Sequence, residues 1–223
     1  KLLKKYEADI AHCGYKKINL DGCRVDLGSS TERLVQTQNQ SLACLLDGKY
    51  FTGSLCTKLY KANLFENVRF DEQLRINEDL YVNYKVFNKA KVIVFSGATK
   101  YKYFEREESS ATRIKNKKKV LDALKVAEYI YEDSKENDTL KCIAARKFFI
   151  ALTNTYRSLI FFPSNDQDKI KREICTKIEE IRPLCRDISL KYKFNFKFMK
   201  YLPVFYKFLY QIYDLLRNPN WDV

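Results

Sequence analysis

The chain has 223 residues with a formal net charge of +13, 46% hydrophobic and 31% charged residues, and 16 Tyr and 15 Phe. That apolar and aromatic content excludes a disordered protein, and no apolar run reaches the roughly 18 residues that span a bilayer. Seven scattered cysteines without a Cys-x-x-Cys pair, and His12 as the only histidine, argue against a zinc site and for free thiols in a reducing compartment.

Residues 1–6 hold Leu2, Leu3 and Tyr6 at helical spacing and lack the apolar core of a secretory signal. They read as the end of a helix already under way, followed by a strand over residues 9–15. Residues 21–39 are polar, with Gly22, Gly28, Ser29 and Ser30, and predict a long loop or hairpin. A short helix over 41–46 stops at Asp47-Gly48. One helical turn is expected over 62–66, then a loop over 70–75.

Residues 78–88 carry Leu80, Tyr84 and Phe87 at spacings of four and three, an amphipathic helix. Glu78 and Asp79 open it, where acids complement the helix dipole or cap the first turn. Two strands follow, 91–96 and 99–104, with Gly97 at the turn between them. After residue 114 the pattern becomes helical throughout: 120–131, 140–161 and 170–181, the last with Ile170, Ile174, Ile178 and Ile181 on one stripe. Residues 192–216 are basic and aromatic, broken by Pro203. The fold class expected is therefore α/β over 1–114 and all-helical over 115–223.

The net charge attracts nucleic acid, anionic lipid or a nucleotide diphosphate, and charge alone does not choose among them. A lysine-rich composition also follows simply from an AT-rich genome. No helix-turn-helix or RNP-type strand is present, so nucleic acid is not expected as a partner.

Lys58-Leu59-Tyr60, Leu64-Phe65-Glu66, Val68-Arg69-Phe70, Glu78-Asp79-Leu80, Tyr84-Lys85, Ala90-Lys91, Tyr101-x-Tyr103 and Arg106-Glu107-x-Ser109 follow one another over some 60 residues. In this order they resemble the C-terminal half of a bacterial family-2, GT-A type glycosyltransferase of surface polysaccharide biosynthesis. The resemblance implies that 1–114 is the acceptor-side part of a GT-A-like domain with a mixed sheet. It implies transfer of a sugar from a nucleotide-sugar to a saccharide or lipid-linked acceptor, with inversion. Asp79 would be the general base toward the acceptor hydroxyl and Glu78 its positioning neighbour. Arg106 and Ser109 would lie near the donor diphosphate, where a guanidinium stabilises charge on the leaving group. Lys58, Tyr101 and Tyr103 would lie in the acceptor vicinity. Each role has a plainer counterpart: helix capping for the acids, an ion pair with Glu105 or Glu108 for Arg106, strand packing for the tyrosines.

The chain departs from the family pattern twice. Cys56 stands near the place where the family often has a Trp ahead of Lys-Leu-Tyr. The nucleotide-binding half, ending in the Asp-x-Asp that holds Mg²⁺ or Mn²⁺ on the diphosphate, has no counterpart after Lys1. The only Asp-x-Asp here, Asp166-Gln167-Asp168, sits in a helical context and reads as a helix start, so no metal ligand is assigned. Alone, these residues are expected to lack transferase activity. The alternative is a non-catalytic helical interaction or regulatory module with a degenerate transferase remnant. The helical region 115–223 is expected to associate with a membrane or a partner. Lysines 193, 197, 200 and 207 would meet anionic lipid while Phe194, Phe198, Phe205 and Phe208 insert; ordinary packing of a helical pair is the competing reading. The expected location is the cytoplasm, or the inner face of the membrane as a peripheral protein.

Overall fold

A computed structural model describes residues 1–20, 22, 24–27, 32–50, 53–104, 117–161 and 166–217. The chain divides into two compact units, Lys1–Ala144 and Ala145–Val223. In the first, α1 (Leu2–Lys5) precedes β1 (Ile10–Ile18), β2 (Arg24–Leu27), β3 (Arg33–Thr37) and α2 (Gln38–Asp47). Next come β4 (Lys58–Tyr60), a 3-10 turn (Ala62–Phe65), α3 (Glu78–Phe87), β5 (Val92–Phe104) and α4 (Lys117–Ser134). The five strands make one sheet in the order β2-β1-β5-β3, with β4 also paired to β1. β1 and β5 run parallel, and the other pairings are antiparallel. Parallel neighbours need a crossover; residues 19–91 supply it and carry α2 and α3.

Ile10, Ala11 and His12 are consecutive and all buried, as expected of a strand covered on both faces. Asp9 fastens the start of this strand to its neighbours. Its carboxylate accepts the N–H of Lys91 at 2.7 Å and of Val92 at 3.2 Å, and pairs with Lys61 Nζ at 2.7 Å. Burial alone would raise the Asp9 carboxyl, but Lys61 and the two amides more than offset it and hold the group below its ordinary range.

Three elements differ from the sequence expectation. β3 lies inside the stretch read as loop or hairpin. Its five residues alternate exposed and half-buried, too short a period-2 signal to stand out among polar neighbours. Gly97 makes no turn, because β5 runs unbroken for 13 residues. Opposite it the register on β1 jumps, from Cys13↔Ser96 to Gly14↔Thr99, so the glycine marks an irregularity within one strand. The Gly97 N–H donates instead to Glu32 O at 2.9 Å. α2 starts three residues early, at Gln38, where the Thr37 N–H donates to Gln40 Oε1 at 3.0 Å. It ends as expected, at Gly48 with φ 69°, a left-handed C-cap that suits glycine.

One core joins α2 (Leu42, Leu45), α3 (Leu80, Phe87), β5 (Ile93, Phe95) and α4 (Val126, Ile130). The compact unit that holds the sheet thus includes α4 and runs to Ala144. α4 serves the sheet's core because its apolar stripe finds α3 there.

The second unit is helical. It holds most of α5 (Lys141–Phe161), then α6 (Gln167–Ile181), a 3-10 turn (Arg182–Cys185), α7 (Leu190–Tyr201) and α8 (Pro203–Arg217). Ile174, Ile178 and Ile181 are buried along one face of α6, at the spacing read from the sequence. Asp166 is the N-cap of this helix and Asp168 lies in its first turn, so the lone Asp-x-Asp is a helix start. Among the described residues no helix is long and apolar enough to cross a membrane.

Candidate functional site around Asp79

The site is built where α3 meets residues 53–57, the loop that leads into β4. Helix α3 begins after Asn77, which takes φ 63°, a left-handed conformation that asparagine tolerates. The first helical bond runs from the Tyr81 N–H to Asn77 O at 3.0 Å. Glu78 and Asp79 occupy the first turn, both half-buried. Asp79 Oδ2 accepts the N–H of Leu55 at 3.3 Å. The carboxylate thus reaches across to the loop, and among the described residues Oδ1 carries no bond.

One turn further on, Asn83 is fully buried. Its Nδ2 donates to Gly53 O at 2.6 Å, and its Oδ1 accepts from Tyr60 Oη at 2.7 Å. Gly53 lies so close to α3 that a Cβ there would stand 3.3 Å from Leu80 Cβ. From the sheet side, the Cys13 N–H and Sγ both donate to Thr57 O, at 3.1 and 3.4 Å. The loop is therefore tied at residues 53, 55 and 57 to one helix and one strand.

Behind it lies a buried cation. Lys58 is 7% exposed, and its Nζ donates to Ser54 O at 2.5 Å. Burial pushes its ammonium down to about 8, against an upward pull from Cys56, Asp79 and Cys13. Its register partner on β1 is His12, 2% exposed, with its ring 5.4 Å from that of Phe95. Burial, then the nearby Lys58 charge, lower the imidazole to about 3, so His12 is neutral across the physiological range. Tyr60 is pushed upward by burial and by Asp79 and stays a neutral donor.

Toward solvent the cluster opens at Cys56, which is exposed and has its Sγ 2.9 Å from Ser54 Oγ. Tyr101 on β5 is half-buried, and a hydrogen bond to Cys56 raises its phenol. Tyr103, two residues on, is more exposed and pairs in register with Lys17.

Of the residues singled out in the sequence, Asp79, Lys58 and Tyr101 meet this loop, Glu78 precedes Asp79 in the first turn of α3, and Tyr103 lies farther along β5. Lys58 is internal and touches the loop backbone. Arg106 and Ser109 lie outside the described residues. Sequence reasoning missed Asn83, Ser54 and Tyr60 as members of the cluster and used His12 only in the argument against a zinc site. Asn83 had a signal: an amide on the apolar face of an amphipathic helix, one turn after Asp79. Among the described residues no three His, Cys, Asp or Glu side chains gather to hold a metal ion.

Chemically, the arrangement offers a half-buried carboxylate with one committed oxygen, an ammonium behind it, and a phenol and a thiol at the opening. The sequence matches no protein-family model, and no curated protein matches it.

Proposed function

We propose that the first unit is the acceptor-side part of a GT-A-like, inverting glycosyltransferase acting in surface polysaccharide synthesis, with Asp79 as its general base. The acceptor hydroxyl gives its proton to Asp79 as its oxygen bonds to the anomeric carbon of a nucleotide-sugar. The bond from that carbon to the diphosphate oxygen breaks, and the nucleoside diphosphate leaves with the electron pair. Attack opposite the leaving group inverts the anomeric centre and needs no covalent intermediate. Arg106 and Ser109 would meet the departing diphosphate, and Glu78 would help position the base.

The observation that supports this reading is the Asp79–Leu55 hydrogen bond, at 3.3 Å. It ties the loop leading into Lys58-Leu59-Tyr60 to the Glu78-Asp79 pair, and so brings together two of the eight fragments whose order carries the resemblance. The base needs a fixed position to accept a proton in the transition state, and this bond with the Asn83 bridge gives it one. The same bond also favours a second reading, in which Asp79 only fastens the loop of a non-catalytic module.

Asp79→Asn separates the two. An amide oxygen still accepts from Leu55, so the loop is held while the base is lost. The test is run with a nucleotide-binding half, carrying its Asp-x-Asp, placed ahead of Lys1. Transfer to a saccharide acceptor is expected to fall about 10²- to 10⁴-fold with donor binding retained.

A further inference from the structure

The outer face of α7 and α8 is apolar where a solvated helix pair would be polar. Inward, Phe196 and Met199 of α7 and Tyr206 of α8 are buried, and Phe196 packs edge-on against Tyr156 at 5.6 Å. Outward, α8 presents Val204, Phe205, Phe208, Leu209 and Ile212, all exposed. The spacing i, i+1, i+4, i+5, i+8 is a single helical stripe. On α7, Leu190 is 81% and Phe194 72% exposed, four residues apart on one face.

Phe198 joins the two stripes. Its ring stacks on Phe194 at 6.1 Å and meets Phe205 edge-on at 5.9 Å. The result is one contiguous apolar face formed by two helices and the turn at Leu202, itself exposed. A surface this apolar and continuous marks a place of association.

Charge selects the occupant. Between residues 190 and 213 stand Lys191, Lys193, Lys197, Lys200 and Lys207, and no acidic residue. A second copy seated on this face would set these lysines against their own equivalents, a like-charge juxtaposition that costs association energy. An anionic surface would be attracted by all of them. Phenylalanine and tyrosine beside lysine is the composition of helices lying in the plane of a bilayer interface. With 12 and 15 residues, the two helices are too short to cross the hydrocarbon core, which takes about 20.

We propose that the α7–α8 face docks on an anionic lipid surface, its apolar stripe entering the interface and its lysines meeting the headgroups. This rests on the second unit alone and does not depend on the role of Asp79.

The test is co-sedimentation of the full chain with vesicles of phosphatidylcholine alone and with vesicles rich in phosphatidylglycerol. The chain should pellet with the anionic vesicles, remain in solution with the neutral ones, and be released at ~1 M salt, where the screening length falls to ~3 Å. Lys197→Gln should weaken partitioning about fivefold, whereas Lys169→Gln on α6 should leave it nearly unchanged. Phe205→Ser combined with Phe208→Ser should weaken it at least tenfold. Both rings are exposed, so circular dichroism should be unaltered. Equal binding to the two vesicle types overturns the proposal. So does anionic binding indifferent to the phenylalanine pair, which would be mere attraction of a basic protein. Self-association without vesicle binding overturns it in favour of a second copy.

Discussion

His12 and Lys58 face each other in register on β1 and β4, and their protonation makes stability depend on pH in opposite ranges. Folding lowers His12 from 6.5 to about 3. Below pH 6.5 the unfolded chain takes up a proton that the folded chain refuses, so stability falls as pH drops toward 3. Asp9 adds its own acid loss, but only around and below its ordinary value of 3.8. The interval from about pH 6.5 to 4.5 therefore isolates His12, whose contribution there is about 2–3 kcal/mol. Urea unfolding across that interval should show a one-proton slope, and His12→Phe should flatten it. Lys58 acts at the other end. Its pKa falls on folding from 10.5 to about 8, so the unfolded chain holds more protons between those values and stability rises with pH across them. Lys58→Met should remove that rise, read as a flattened unfolding midpoint from about pH 8 to 9, below the range near 10.0 where the tyrosines raised on folding, Tyr60 among them, lower stability. The place of Asp79 in the first turn of α3 was legible in the sequence because two acids open an amphipathic helical period. The burial of His12 was not, since a lone histidine in a strand carries no mark of which neighbour covers it.

At the scale of elements, the helices were legible and the sheet was only partly so. α3, α6 and the α7–α8 break at Pro203 follow from apolar spacing and from proline's missing N–H. Gly97 misled because glycine serves turns and register irregularities alike, and only the partner strand β1 decides between them. β3 was hidden because its pairing lies with β5, some 60 residues away in the chain. The loop over residues 53–57 was illegible for the same reason: its ties to Cys13, Asp79 and Asn83 are all tertiary. Asn83 is the element that makes this loop part of α3. Asn83→Ala would leave Gly53 O and Tyr60 Oη without their buried partner, at a cost of about 2–4 kcal/mol. Hydrogen exchange should show the Leu55 and Lys58 amides opening faster, while those in the middle of α5 keep their protection.

For the whole molecule, the apolar periodicity carried the order of a mixed α/β part followed by helices, whereas the division into Lys1–Ala144 and Ala145–Val223 depends on tertiary packing. Helix α4 begins the helical region and yet belongs to the sheet's core through Val126 and Ile130. The net charge of +13 left its partner open, and the proposed docking of the α7–α8 face on anionic lipid would give part of that charge a use. The chemistry assigned to the first unit stands on Asp79 being both loop anchor and base. The measurement that bears on it most directly is glycosyl transfer by the Asp79→Asn variant, with a nucleotide-binding half ahead of Lys1 and an unfolding curve taken in parallel. The account predicts a loss of about 10²-fold or more in kcat with an unfolding midpoint close to that of the parent. Transfer at the parent rate by a folded Asp79→Asn protein would contradict it.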